Sequence, residues 1–109
     1  MKTPCLVILC SVPTPEKGRE IAEKLVEARL CACVNIVAGM RSIYRWDAQI
    51  QNDPESMMIL KTTPERYQDL EDRLQALHPY DVPEVLALPV YAGAQSYLDW
   101  VVSEVSPET

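Results

Sequence analysis

The tripeptide Thr-Pro-Glu occurs twice, at Thr14-Pro15-Glu16 and at Thr63-Pro64-Glu65, each time shortly after an apolar run and ahead of a helical pattern. Threonine offers an N-cap, and proline fits the first helical position because an N–H there has no partner in any case. Glutamate complements the positive end of the helix dipole. A chain that carries this signal twice folds through two strand-then-helix units, and the remaining segments only have to join them.

The segments in between support that reading. Cys5-Leu-Val-Ile-Leu-Cys10 is a short continuous apolar run, which predicts a central strand buried on both faces. Ile21, Ala22, Leu25, Val26 and Ala28 recur at helical spacing and predict a helix over 15–29. Ala32 to Arg45 is rich in strand formers, with a bend or bulge expected at Gly39. The polar stretch from Asp47 to Pro54 reads as a loop, and Met57 to Thr62 as the strand that returns from it. Tyr67, Leu70, Leu74 and Leu77 form the apolar stripe of a second helix. His78 precedes a proline, which disfavours αR, so this helix stops there and leaves the imidazole at an accessible terminus. Glu84 to Tyr91 is a fourth strand, placed at a sheet edge by its interior Pro89. Tyr97, Leu98, Val101, Val102 and Val105 close the chain with an amphipathic helix whose spare face carries Trp100. The order βαββαβα predicts an α+β, ferredoxin-like split βαβ domain, with strands one and three central and strands two and four at the edges.

With 109 residues, 48% of them hydrophobic, the chain is the size of a single domain over 1–109. No apolar run approaches the ~20 residues of a membrane span, and Met1 to Pro4 shows no leader pattern, so a cytoplasmic location away from membranes is expected. A net charge of -6 disfavours nucleic acid, because phosphate binding is built on clustered Lys and Arg. Cys5, Cys10, Cys31 and Cys33 lack the C-x2-C spacing of a zinc knuckle and read mainly as small packed hydrophobes. Fourteen residues of strand two, at ~3.3 Å each, reach about 45 Å, whereas a compact domain of this length is roughly 35 Å across. The hairpin should overhang, and pairing with neighbouring subunits is the expected way to cover its Ile43, Tyr44 and Trp46.

Cys10, Ala32-Cys-Val-Asn-Ile36, Ser42-Ile-Tyr-Arg-Trp46, Lys61-Thr62, His78-Pro-Tyr-Asp-Val-Pro-Glu84, Leu88-Pro-Val90 and Tyr97-Leu-Asp-Trp100 occur in this order along the chain. Through them the sequence, from Leu6 to Trp100, resembles the CutA family of divalent-cation tolerance proteins. The resemblance implies a ferredoxin-like domain assembled as a homotrimer through its long strands, binding copper and other divalent cations. It carries the copper ligands onto Cys10 and His78. The sequence departs from the family pattern at Leu77, where some members have a second histidine, at Asp81, where glutamate is common, and at Asp47-Ala48, where a glycine often follows the tryptophan.

A thiolate and an imidazole are apt donors for copper or zinc, and Asp81, Glu84, water or a neighbouring subunit would have to complete the site. The plainer alternative makes His78 a helix-terminal residue and Cys10 a packed thiol. If strand three runs antiparallel to strand one, helix two ends where strand one ends, so Cys10 and His78 share one end of the domain. Lys61, Tyr80 and Glu84 are expected to line a small-ligand cleft beside His78. Their structural alternatives are a strand terminus, a packed ring and a solvated acid. No nucleophile elbow, P-loop or other catalytic motif occurs, so the chain reads as a non-enzyme. Trp46 and Trp100 read as packing or interface residues. Met57 and Met58 point to opposite faces of one strand and cannot chelate together. A second class of function, a trimeric small-ligand sensor or scaffold similar in architecture to the PII signalling proteins, stays open beside metal tolerance.

Overall fold

The computed structural model describes residues 3–107. Strands β1 (Leu6–Val12), β2 (Cys33–Trp46), β3 (Gln49–Thr62) and β4 (Leu86–Pro89) form one antiparallel sheet in the order β2-β3-β1-β4. Helices α1 (Pro15–Glu27) and α2 (Tyr67–Leu77) follow β1 and β3, and α3 (Gln95–Val105) follows β4. This is the ferredoxin-like split βαβ arrangement, with β1 and β3 central as the apolar patterning predicts.

The two Thr-Pro-Glu starts are built differently. Thr14 is extended and its hydroxyl accepts from the Lys17 N–H at 3.1 Å, making the N-cap of α1. Thr63 makes no such bond, and a 3₁₀ turn at Pro64–Arg66 leads into α2. Helix α1 also stops earlier than expected, at Glu27. Arg29 takes φ 58° and the Leu30 N–H reaches back to the Leu25 carbonyl, a Schellman closure made without glycine.

One face of the sheet carries the core. Ile8, Cys10, Val12, Met58 and Leu60 are fully buried there against Ile21 and Leu25 of α1 and Leu70 and Leu74 of α2. Alternation puts Val7, Leu9, Met57, Ile59, Leu86 and Leu88 on the opposite face. Helix α3 covers only one end of that face, where Leu98 and Val101 bury Cys5 beside Ala32 and Val90. β1 is therefore closed on one face and only half-buried on the other. β4 is shorter than the expected 84–91, and its Leu86 and Leu88 are 56% and 47% exposed.

The largest departure from expectation is at the hairpin. The stretch from Asp47 to Pro54 is no polar loop: only Asp47 and Ala48 turn, both at positive φ, and β3 begins at Gln49. Both central residues at φ near +55° make a type I′-like two-residue turn, whose twist matches the strands it joins. Pro54 fits within β3 because β1 ends opposite Ser56, so on that side Pro54 has no ladder partner to lose. The register of β2 on β3 slips between Val37 and Met40, a bulge at Gly39 with φ 83°. Beyond it the two-stranded ribbon stands clear of the other elements, and the domain measures 47 × 27 × 22 Å. Ile43, Trp46 and Ile50 on this ribbon are 68%, 57% and 63% exposed.

Candidate functional site

β1 runs on to Val12, so Cys10 lies inside the strand rather than at its end, paired with Met58 and fully buried. His78 caps the C-terminus of α2 in an extended conformation, its N–H donating to the Leu74 carbonyl at 2.9 Å. The helix ends where the His-Pro pair predicts. The imidazole is not accessible, however, being only 7% exposed. It packs over the end of β1, where Nε2 lies 2.8 Å from the Ser11 carbonyl oxygen. Nδ1 accepts from the Tyr80 N–H at 3.1 Å, so the ring proton sits on Nε2 and is donated to Ser11. The Cys10 thiol points to the same Ser11 oxygen at 3.7 Å. Cys10 and His78 thus meet as two hydrogen-bond donors on one carbonyl oxygen.

Around them stands a set of acids and phenols. Tyr80 lies against the His78 ring, with centroids 4.7 Å apart, and donates its hydroxyl to Glu55 at 2.7 Å. Tyr44, in the outer half of the ribbon opposite Gln51, donates to Asp53 at 2.7 Å. Partial burial, then the Glu55 hydrogen bond and the charges of Glu55, Tyr44 and Asp53, raise the Tyr80 phenol well above its ordinary range. The Asp53 hydrogen bond is the main cause raising Tyr44. Burial, helped by the negative charges of Glu84 and Glu55, pushes the Cys10 thiol up to about 12. Tyr80 thus stands against His78 and Glu84 lies near enough for its charge to act on Cys10, whereas Asp81 is exposed in the loop between them.

Lys61 is elsewhere. It pairs with Val7 and Cys33 at the opposite end of β3 from Glu55, about 20 Å away along the strand. The structure brings Tyr80 to His78 and Glu84 toward Cys10, but not Lys61. Ser11, Glu55, Tyr44 and Asp53 escape sequence reasoning. Ser11 acts through its carbonyl, which carries no residue signal, while Asp53 falls inside the stretch read as a loop and Glu55 directly follows it. Among the described residues no three His, Cys, Asp or Glu side chains are grouped at metal-binding spacing, and no helix is long and apolar enough to cross a membrane.

Residues 6–104 match the CutA1 divalent ion tolerance protein family. A relative from Thermus thermophilus, named divalent-cation tolerance protein CutA, is 50% identical over 95 residues, which cover 87% of this chain and 92% of its own. An Arabidopsis thaliana relative, named protein CutA, chloroplastic, is 42% identical over 98 residues, 90% of this chain and 54% of its own, so the chain spans about half that relative's length. The solved divalent cation tolerance protein of Thermus thermophilus superposes with a TM-score of 0.89 at 48% identity, covering 92% of this chain and 97% of that one. A structure from Archaeoglobus fulgidus, described as the periplasmic divalent cation tolerance protein CutA, gives 0.91 at 33% identity over 94% and 99%. Fold and site together define a ferredoxin-like α+β protein with an overhanging hairpin and a buried Cys–His end. The sequence and structural matches add the rest: the chain belongs to the CutA1 divalent ion tolerance family.

Proposed function

We propose that residues 1–109 work as one cytoplasmic domain of a homotrimeric divalent-cation tolerance protein, which binds copper and other divalent ions at the Cys10–His78 end without catalysing a reaction. The convergence of the Cys10 thiol and the His78 Nε2–H on the Ser11 carbonyl carries the metal reading, because it brings a soft and a borderline donor to one point. Glu55 and Glu84, whose charges act on Cys10, are the nearest sources of a further oxygen donor. Loading requires loss of the thiol proton and of the hydrogen bond to Ser11, so affinity is modest and uptake improves as pH rises. The half-open apolar face and the exposed ribbon support the trimer, since a monomer would leave both in water. Four free cysteines suit a reducing compartment.

Copper titration of the wild type beside Cys10→Ser and His78→Ala is the test. Each variant is expected to lose the copper equivalent that the wild type binds. Equal uptake by all three would remove the metal site and favour the ligand-sensing trimer, for which the phenol and carboxylate groups around Tyr80 are the natural lining. Sedimentation at micromolar concentration tests the assembly, and a monomer there would overturn it.

A further inference from the structure

The ribbon beyond the bulge is fastened mainly to itself. Across its two strands Arg41 Nε donates to Asn52 Oδ1 at 2.8 Å, Arg41 Nη2 donates to the Asn52 carbonyl at 3.0 Å, and the Tyr44 hydroxyl donates to Asp53. Among the described residues, a single side-chain hydrogen bond leaves residues 40–55 for another part of the domain, and it is the bond from the Tyr80 hydroxyl to Glu55.

Both ends of that bond are placed to matter. Glu55 pairs with Met40, the first pair beyond the register slip, so it stands at the root on which the ribbon turns. β1 ends opposite Ser56, which makes Glu55 the first residue of β3 that β1 no longer braces. Tyr80 takes over at that point. Its own anchor is His78: the Tyr80 N–H donates to Nδ1 at 3.1 Å, the two rings lie against each other, and Nε2–H donates in turn to the Ser11 carbonyl of β1. Three hydrogen bonds in series, Ser11 to His78 to Tyr80 to Glu55, thus join the end of β1 to the ribbon root through the loop between α2 and β4.

We propose that Tyr80 is a strap, which ties the angle of the ribbon at the bulge to the seating of the His78 ring, so that the Cys10–His78 end and the ribbon respond together. A ring drawn away from Ser11 carries Tyr80 with it and frees the ribbon root. A ribbon swung away from the loop pulls on Tyr80 and loosens the ring, because a coupling between two equilibria acts equally in both directions. The strap itself needs no ligand. Its consequence rests on the metal and trimer readings: an ion taken up at Nε2 has to displace the Ser11 bond, and the displacement reaches the arms through which subunits meet.

The test is amide exchange in the native assembled protein, read at both ends of the strap. Glu55→Ala, a change on the ribbon, is expected to speed exchange of the Tyr80 N–H held by His78 Nδ1 by about fivefold, the factor that one hydrogen bond of ordinary net strength supplies. Tyr80→Phe keeps a ring on His78 but loses the hydroxyl, and should speed exchange over residues 40–46 by a similar factor. Glu55→Gln, whose amide oxygen still accepts, restores the wild-type rates. The Tyr80→Phe/Glu55→Ala double variant exchanges no faster than either single variant, since both remove the same bond. Tyr44→Phe, which loosens the ribbon only within itself, leaves the Tyr80 N–H unchanged. An unchanged Tyr80 N–H in Glu55→Ala, a faster one in Tyr44→Phe, or additive effects in the double variant would each overturn the strap. Equal copper uptake by wild type, Cys10→Ser and His78→Ala would remove the metal reading and leave these exchange rates as they are, so the two fail separately.

Discussion

On its helix side the sheet presents Ile8, Cys10, Val12, Met58 and Leu60 with no measurable exposure, and on its other side Val7, Leu9, Met57 and Ile59 of the same two strands, with Leu86 and Leu88 of β4, none of them sealed. A strand alternates its side chains between faces, so the sequence writes two apolar surfaces at once. What differs is the cover: α1 and α2 close the first surface, and α3 reaches only the Cys5 end of the second. Burial of one face thus belongs to the fold of a single chain. On the trimeric reading, burial of the other belongs to assembly, and residues one step apart on β3 serve different equilibria.

The largest effect is expected from Leu60→Ala, which empties a fully buried position on the closed face. It should cost ~2–5 kcal/mol in urea denaturation, and a loss below about 1 kcal/mol would erase the distinction between the faces. Its neighbour Ile59→Asp should leave helical circular dichroism intact while weakening association by at least about 2 kcal/mol, because a charge would be buried at the interface. Sedimentation as an unchanged oligomer would break the comparison from the other side.

Next in size is an alkaline effect confined to the closed face. Burial raises Cys10 and Cys31 from near 9 to about 12. Their protonated forms are favoured in the folded chain, so the stability they contribute is complete below pH 9 and is lost as pH climbs toward 12. Denaturation across that interval should fall by up to about 1 kcal/mol per pH unit per thiol, and the Cys10→Ala/Cys31→Ala double variant should flatten the slope. An identical slope would show that other groups govern alkaline unfolding. The smallest effect is Ala48→Gly, which relieves a left-handed residue at φ 60°. A gain of roughly 0.5–1 kcal/mol is expected, seen as slower amide exchange at Arg45 and Ile50 rather than as a higher global midpoint.

The same contrast explains what could be read in the sequence. Element order, the central places of β1 and β3 and the stop at His78 were legible, because burial against α1 and α2 selects apolar periodicity and because proline acts locally. The outer half of β3 was not: Gln49 to Glu55 pairs only with β2, beyond the helix-covered core, so no apolar alternation is imposed on it. The Asp47-Ala48 turn hid the strand further, lacking the glycine that signals a type I′ hairpin. At the site, the shared end of Cys10 and His78 followed from chain direction. The burial of His78 did not, since it depends on where the Ser11 main-chain oxygen lies. Lys61 was grouped with Tyr80 because pairing register, which sends them to opposite ends of the sheet, cannot be read from residue type.

The bulge at Gly39 makes the ribbon a lever arm. From Gly39 to Trp46 is seven residues of strand, ~23 Å, so a tilt of about 10° at the bulge swings the tip by about 4 Å. Nothing in the helix-covered core has to shift for this to happen. A Cβ at Gly39 would meet no neighbouring atom within 4 Å, so what a substitution there strains is the left-handed backbone and not the packing. One dihedral thus aims the arm, and on the trimeric reading replacing Gly39 would misalign the apolar tips of subunits that had each folded correctly.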